Sequence, residues 1–162
     1  TGIIIFKYIL LRKDEQEETI MAIAMRLNFV DVIQNDSLKN VYVNGKKSGY
    51  KFDIRLSYYR GHFLSVIDTL EVTVDGEKVK TEDITFCLKG KEFGLSQLHD
   101  LVSEFWPIIE PATIKVFKKG GLPAGEHEID FKLIFHSPYM PISDTEYMPW
   151  DSSEKKTLTI AE

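Results

Sequence analysis

Apolar and polar residues alternate strictly over several short segments of this chain. In the clearest segment, residues 50–56, every second side chain is apolar and those between are charged. The same alternation recurs at residues 70–74, 84–88 and 126–135. A period of two residues is typical of strands with one face on a core and the other in water. The pattern therefore predicts a mainly β protein.

Tight-turn dipeptides separate these segments. Asn44-Gly45 and Asp75-Gly76 each stand between two alternating runs. Both fit two-residue hairpins, in which the central positions have positive φ. About eight short strands at this spacing favour an antiparallel β-sandwich.

One segment has helical periodicity instead. Within residues 96–105, apolar side chains recur at i, i+3, i+4 and i+7 from Leu98. Ser96 can cap the helix, and Pro107 ends it. We expect one short amphipathic helix, at about 96–105.

The first 27 residues differ from the rest. Residues 3–11 are apolar, residues 13–18 are mostly acidic, and residues 20–27 could form a helix on propensity. Met21 and Met25 are candidate starts. If residues 3–11 are ordered, they should add to a sheet or dock on a partner. We therefore treat 1–27 as an N-terminal extension and 28–162 as a single β-sandwich domain.

Composition excludes some classes of function. The chain has 162 residues and a net charge of −5, which argues against general nucleic-acid binding. Its single cysteine, Cys87, lies in an apolar strand pattern and is expected to be a small buried hydrophobe in a reducing compartment. The apolar run at 3–11 is too short to span a bilayer and lacks the features of a signal peptide. A cytoplasmic location is expected.

Catalytic and metal-binding motifs are not evident in the sequence. The four histidines do not form a spaced metal pair, and neither a nucleophile elbow nor a phosphate-binding loop occurs. Asp144, Glu146 and Asp151 could supply a carboxylate pair for glycoside hydrolysis, but charged loop residues are usually only solvated. We expect neither a metal nor a cofactor in this chain, and no activity from it alone.

Aromatic residues cluster where the periodicity ends. Tyr58, Tyr59 and Arg60 follow the first strand run, and residues 137–153, predicted as a loop, carry Tyr139, Tyr147 and Trp150. Tyr, Trp and Arg anchor protein interfaces, and aromatic rings also stack on sugars or flavonoids. A third interpretation, that these rings cover the ends of the core, stays open.

Several segments together resemble a known family. They are Gly-Tyr-Lys-Phe-Asp-Ile-Arg-Leu-Ser-Tyr-Tyr-Arg-Gly at 49–61, the Asp75-Gly76 hairpin, Gly-Lys-Glu-Phe at 90–93, Pro-Ala-Thr-Ile at 111–114 and Pro-Tyr-Met-Pro at 138–141. Over about residues 35–162 the chain resembles the small (beta) subunit of bacterial C-glycoside deglycosidases.

The resemblance implies a heteromeric, lyase-type enzyme in the carbohydrate metabolism of bacteria of the gut type. A large TIM-barrel alpha subunit would carry a divalent metal (Mn or Mg) and the general base, in an assembly of repeated alpha–beta pairs. The complex would cleave the C–C bond between a 3-oxo-glucosyl unit and a flavonoid or other aromatic aglycone. A separate oxidoreductase would first make the 3-oxo sugar, which acidifies the C2 hydrogen so that a base can remove it.

Within that resemblance the small subunit supports the barrel and shapes one wall of the pocket. No catalytic residue is assigned to it. The residues expected at the interface or the pocket mouth are Tyr58, Tyr59, Arg60, His62, Tyr139, Met140 and Trp150. Two alternatives remain: a carbohydrate-binding β-sandwich module that stacks sugars on Tyr139, Tyr147 and Trp150, and a structural subunit of another metabolic complex.

Overall fold

The computed structural model describes residues 4–11 and 20–161. Fourteen strands and three short 3-10 helices occur in this described part of the chain. The strands are β1 (Ile4–Leu11), β2 (Ile20–Leu27), β3 (Lys39–Val43), β4 (Lys46–Ile54), β5 (His62–Phe63), β6 (Ile67–Val74), β7 (Glu77–Lys78), β8 (Ile84–Leu88), β9 (Lys91–Gly94), β10 (Phe105–Trp106), β11 (Ala112–Phe117), β12 (Gly125–Pro141), β13 (Tyr147–Asp151) and β14 (Glu154–Ile160). The 3-10 helices are Leu64–Val66, Thr81–Asp83 and Leu95–Asp100.

Two large sheets form a sandwich-like fold. One has the order β3-β4-β11-β8-β9, and all of its pairings are antiparallel. The other has the order β1-β2-β13-β12-β6-β7, with β14 also paired to β12. A small third sheet joins β5 to β10. The predicted mainly β class is confirmed. The strands outnumber the eight expected because β5, β7 and β10 span only two residues each, and because β1, β2 and β13 lie in segments that were not predicted as strands.

The core lies between the two large sheets. Tyr50, Phe52 and Ile54 of β4 are buried, as their alternation predicted. The Phe52 ring meets that of Phe131 on β12 edge to face, with 6.0 Å between centroids. This pair joins the five-stranded sheet to the seven-stranded one, so packing at Phe131 holds the layers together.

Both predicted hairpin turns are present. Asn44 and Gly45 have φ of 51° and 78°, and Asp75 and Gly76 have φ of 51° and 81°. Positive φ at both central positions is the geometry of a type I′ turn. A third turn of this kind, Lys89-Gly90, joins β8 to β9 and was not predicted.

The Asp75 turn is tied to β12 through His127. The Nδ1 of His127 lies 2.7 Å from an Asp75 carboxylate oxygen, and its Nε2 lies 2.7 Å from the carbonyl oxygen of Pro123. Both partners can only accept, so both contacts are satisfied when the imidazole is protonated on each nitrogen. Burial lowers the pKa of His127, but the bonds to Asp75 and Pro123 outweigh it, and the net pKa is raised.

This arrangement predicts a pH-dependent contribution to stability. Because the pKa of His127 is higher in the folded state than its ordinary value near 6.5, its contribution is complete below about pH 6.5 and is lost as pH rises through the folded pKa. We expect the free energy of unfolding of wild type to exceed that of His127→Gln by about 1 kcal/mol at pH 6 and by less at pH 9. The difference is no larger because Asp75 is half-exposed and its charge is partly screened by solvent. Urea unfolding of both proteins at the two pH values measures the difference. A gap that stays constant or widens toward pH 9 would contradict the assignment.

The predicted helix is shorter and of a different type. The chain forms a 3-10 helix over Leu95–Asp100, with Leu98 buried, and Val102 is exposed. Residues 105 and 106 instead pair with Phe63 and His62 in the small sheet. The helix expected at about 96–105 is therefore present but ends at Asp100, because this strand pairing takes the end of the segment.

The stretch at 137–153, predicted as a loop, is mostly strand. β12 continues to Pro141 and pairs with β13, and the register shifts between His136 and Pro141. Pro138, Pro141 and Pro149 hide the strand from sequence analysis because they break the alternation and remove hydrogen-bond donors. The result is an irregular hairpin in place of a free loop.

The N-terminal segments, where described, belong to a sheet. β1 pairs antiparallel with β2, and β2 meets β13 in parallel at Met25 and Trp150. Residues 20–27 therefore form a strand, and the helix suggested by propensity was wrong. Residues 3 and 13–18 lie outside the described part of the chain.

Cys87 differs from its predicted setting. It is half-buried on the outer face of β8, while Ile84, Phe86 and Leu88 point into the core. Burial raises the pKa of its thiol. The expectation of a fully buried cysteine was wrong because the strand register places it opposite the core.

Candidate functional site

The segment after β4 crosses from the five-stranded sheet to the seven-stranded one. The Ser57 hydroxyl donates a hydrogen bond to the carbonyl oxygen of Leu27 on β2. Tyr58 then inserts its ring against β12 and β13. The two adjacent residues at the end of this segment, Tyr59 and Arg60, remain on the surface. This crossing builds an aromatic site at one end of the sandwich.

Tyr58 is the centre of the site. Its ring centroid lies 5.4 Å from that of Phe135, 4.7 Å from Trp150 and 4.9 Å from His62. Its hydroxyl is 3.1 Å from the Ser137 hydroxyl, and both groups are buried. Strands β12, β13 and β5 thus supply one ring each around Tyr58, which fixes the base of the site.

A second layer of three side chains faces solvent. Tyr59 and Tyr139 are 54% and 55% exposed. The Arg60 guanidinium lies over the Tyr139 ring, 4.2 Å from its centroid, and 5.8 Å from that of Tyr59. Cation–π contact of this kind favours a defined orientation of the guanidinium. We call Tyr59, Arg60 and Tyr139 the aromatic surface.

Gly61 allows the chain to turn closely into β5. A Cβ at this position would lie 2.4 Å from the Trp106 carbonyl oxygen and 2.8 Å from the Phe105 ring. Only glycine permits this approach, which sets His62 opposite Trp106 in the small sheet. His62 is thereby brought beneath the aromatic surface.

The base of the site is uncharged at neutral pH. Burial, with the nearby charges of Arg60 and then His136, lowers the pKa of His62 to about 4. Burial also raises the pKa of Tyr58 to about 12, against a lowering by its bond to Ser137. Both groups are neutral between pH 5 and 9 as a result. Arg60 carries the positive charge of the site.

Six of the seven predicted site residues come together here. They are Tyr58, Tyr59, Arg60, His62, Tyr139 and Trp150. Their exposure differs from the prediction, because Tyr58, His62 and Trp150 lie in the buried layer. Met140 is half-buried and packs against the core.

The burial of Trp150 also bears on sugar binding. Its side chain is only 3% exposed, so it cannot stack on a sugar ring. The expectation of an exposed tryptophan platform was wrong because β13 turns that ring toward Tyr58. Tyr139 and Tyr147 are exposed, but Tyr147 stacks on a different histidine, His136.

Two residues of the site were missed from the sequence. Phe135 was assigned only to the core face of β12, and Ser137 was assigned to a loop. The signal was present, since Ser137 follows Phe135 by two residues and continues its inward face. Ser137 was missed because the strand was predicted to end near residue 135.

Acidic and metal-binding chemistry does not assemble here. Asp151 is buried, receives the Ser153 backbone N–H and lies 3.7 Å from Arg26, while Asp144 and Glu146 are exposed in the turn before β13. Among residues 4–11 and 20–161, no three His, Cys, Asp or Glu side chains form a group that could hold a metal ion. In the same part of the chain, no helix is long and apolar enough to cross a membrane.

Comparison with known proteins identifies relatives of this chain. The family model described as C-glycoside deglycosidase beta subunit matches residues 29–139. The C-glycoside deglycosidase beta subunit of Eubacterium cellulosolvens is 36% identical over 111 residues, which are 68% of this chain and 76% of that protein. The C-glycoside deglycosidase beta subunit of Microbacterium trichothecenolyticum is 31% identical over 109 residues, which are 65% of this chain and 80% of that protein. The 3'-dehydrocarminate deglycosidase beta subunit of a Microbacterium species is 29% identical over 110 residues, which are 68% of this chain and 83% of that protein. The matched region includes β4, the crossing segment and β12 up to Tyr139, so the chain belongs to the C-glycoside deglycosidase beta subunit family.

Proposed function

We propose that this chain is the small subunit of a heteromeric C-glycoside deglycosidase and binds its large alpha subunit through the aromatic surface. The observation that supports this most directly is the exposed Tyr59–Arg60–Tyr139 set on a rigid, buried base. Exposed Tyr and Arg side chains that are already held in place lose little entropy on association, and such residues commonly dominate binding energy. Relatives named beta subunits supply the reason for expecting a partner chain.

The chemistry belongs to the large subunit in this proposal. A TIM barrel there holds the divalent metal, Mn or Mg, and the general base. The substrate is a 3-oxo C-glucoside with a flavonoid-type aglycone. Its ketone acidifies the C2 hydrogen, the base removes that proton, and the C1–aryl bond breaks as the aromatic carbon takes up a proton. In this proposal the enzyme is of the lyase type, acts in the cytoplasm and belongs to carbohydrate metabolism of the gut-bacterium type.

The small subunit supports the barrel and forms one side of the pocket mouth. Its base layer is neutral and can be covered without burying a charge, and the Arg60 guanidinium can stack on an aromatic ring or donate to carbonyl oxygens of the partner surface. Repeated alpha–beta pairs are the assembly we propose.

The test is co-expression of this chain with a C-glycoside deglycosidase alpha subunit from the same organism, followed by size-exclusion chromatography with light scattering. We expect a stable heteromeric complex that cleaves a 3-oxo C-glucoside, and no cleavage by this chain alone. A folded, monomeric small subunit that does not associate with the alpha subunit would refute the proposal. Binding of simple sugars by the isolated chain would favour a carbohydrate-binding module instead.

A double substitution tests the aromatic surface itself. Tyr59→Ala with Arg60→Ala should raise the Kd of the complex by about tenfold or more, because both side chains are exposed and their loss removes interface contacts without opening the core. Titration of the alpha subunit by isothermal calorimetry measures this change.

The matched control is Tyr42→Ala with Lys46→Ala. These residues are also an exposed tyrosine and an exposed cation, but they lie in the β3–β4 hairpin, at the end of β4 opposite the crossing segment. The control should bind as wild type does. If both double variants bind alike and remain folded, the aromatic surface is not the interface.

A further inference from the structure

Tyr139 fills a position that a ligand ring could occupy. Its phenol ring contacts the Arg60 guanidinium, 4.2 Å from the ring centroid, and its centroid lies 6.0 Å from that of the His62 imidazole at an interplanar angle of 31°. We infer that this position is a binding site for an aromatic ring bearing hydroxyl or carbonyl groups, which the chain's own Tyr139 occupies when no ligand is present.

Tyr139 is held in place by few backbone constraints. It lies where the pairing of β12 with β13 shifts register, between His136 and Pro141. Pro138 and Pro141 flank it, and neither has a backbone N–H to donate to the neighbouring strand. More than half of the side chain is exposed. Tyr139 can therefore turn outward without breaking a regular ladder.

The surroundings of the ring contain an unused polar group. His62 is 4% exposed, and its Nε2 has no hydrogen-bond partner among the described residues. Buried polar atoms of this kind are few in folded proteins and need an explanation. A neutral imidazole nitrogen accepts a hydrogen bond from a phenol or donates one to a carbonyl oxygen, according to its tautomer. The Tyr139 hydroxyl does not bond to this nitrogen. A ligand ring that is free of the Tyr139 backbone can turn to bring its oxygen to His62 Nε2 and satisfy it.

The other contacts favour a flat aromatic ligand. Phe135 and Tyr58 lie on the buried side of His62, with ring centroids 5.0 Å and 4.9 Å from it, and Arg60 can stack on a ring at the surface. Apolar walls with one or two placed polar groups are typical of small-molecule sites. The inference rests on the proposed function in one respect, since that function brings a phenolic aglycone to this surface.

Replacement of the internal ring by an external one tests the inference. Tyr139→Ala removes the phenol, and 4-methylphenol, which matches the lost side chain, is the probe. We expect 4-methylphenol to bind the full chain carrying Tyr139→Ala at least tenfold more tightly than it binds wild type, as measured by ligand-observed NMR titration. Adding His62→Phe, which keeps a ring but removes Nε2, should abolish most of the gain.

Tyr147→Ala is the matched control. Tyr147 is also an exposed tyrosine stacked on a histidine, with its ring centroid 5.9 Å from that of His136 at 32°. That histidine is half-exposed and already bonded to Asp68, so removal of Tyr147 should give no gain in 4-methylphenol binding. Equal binding by the two alanine variants and wild type would overturn the inference.

The same titration on the assembled complex shows whether the ring that enters this site belongs to a small ligand or to a side chain of the alpha subunit. We expect the alpha subunit to cover Tyr59 and Arg60 and to leave the place of the Tyr139 ring open at the pocket mouth, so that 4-methylphenol binds the Tyr139→Ala complex as it binds the free variant. If assembly expels the probe, the alpha subunit fills the site and the small-ligand inference is overturned, while the proposed subunit function stands. Failure of the chains to associate would refute the proposed function and would not alter the result on the free chain.

Discussion

Phe131→Ala is expected to lower the free energy of unfolding by about 3–5 kcal/mol. Phe131 on β12 is 0% exposed and packs edge to face on Phe52 of the opposite sheet. Truncation removes apolar contacts from both layers and leaves a cavity that strands paired on both sides of β12 cannot close. For a domain of this size, such a loss is a large share of the total stability.

Urea unfolding followed by circular dichroism measures this loss. Phe117→Ala provides the matched control, since Phe117 ends β11 and is 65% exposed. Its substitution should change the free energy of unfolding by about 0.5 kcal/mol or less. Similar losses in the two variants would mean that the sheets are not held together at Phe131.

Gly49→Ala should cost about 3 kcal/mol or more, and the variant could fail to accumulate in folded form. Gly49 lies within β4, between β3 and β11. A Cβ at this position would be 2.0 Å from the Val116 carbonyl oxygen and 3.1 Å from the Lys118 backbone nitrogen. These atoms belong to the backbone of the neighbouring strand, so the clash is relieved only if the sheet itself separates.

The control for Gly49 is Gly94→Ala, at the end of β9. There the nearest atom to a new Cβ is the Gln97 side-chain oxygen at 3.7 Å, an ordinary van der Waals distance. We expect a change of about 1 kcal/mol or less in the free energy of unfolding, measured by the same urea titration. A Gly49→Ala protein as stable as the Gly94→Ala protein would show that β4 and β11 do not approach so closely.

Neither of these variants is a test of function. Both act on the packing that brings the crossing segment against β12 and β13, so activity would fall together with stability. The surface changes at Tyr59, Arg60 and Tyr139 avoid this difficulty because their side chains are exposed.

The sheet strands were predictable because alternation is a local property. The alternation at residues 50–56 and the dipeptides Asn44-Gly45 and Asp75-Gly76 require no knowledge of distant contacts, and the structure confirms them. The extent of the helix predicted at 96–105 was not predictable, because it depends on a distant contact. The helical spacing of this segment was real, but pairing of Phe105 and Trp106 with β5 outweighed it.

The candidate site was only partly predictable. Its residues were found because they interrupt the strand pattern with rings and a guanidinium. The sequence did not predict which of these residues are buried. Tyr58 and Trp150 are covered by each other and by Phe135, and these three residues are far apart in sequence. Sequence alone does not show which rings meet.

By itself, the sequence determined the β class, the hairpin turns, the family and the set of aromatic residues around Tyr58 and Tyr139. The β class, the turns and the aromatic set follow from residue type or from spacing along the chain, and the family follows from the resemblance of several segments. The tertiary structure decided the layers of the site: Tyr58, His62 and Trp150 inside, Tyr59, Arg60 and Tyr139 outside. The physical reason is that burial depends on contacts between strands distant in sequence, which also leave the His62 Nε2 unpartnered beneath a replaceable phenol ring.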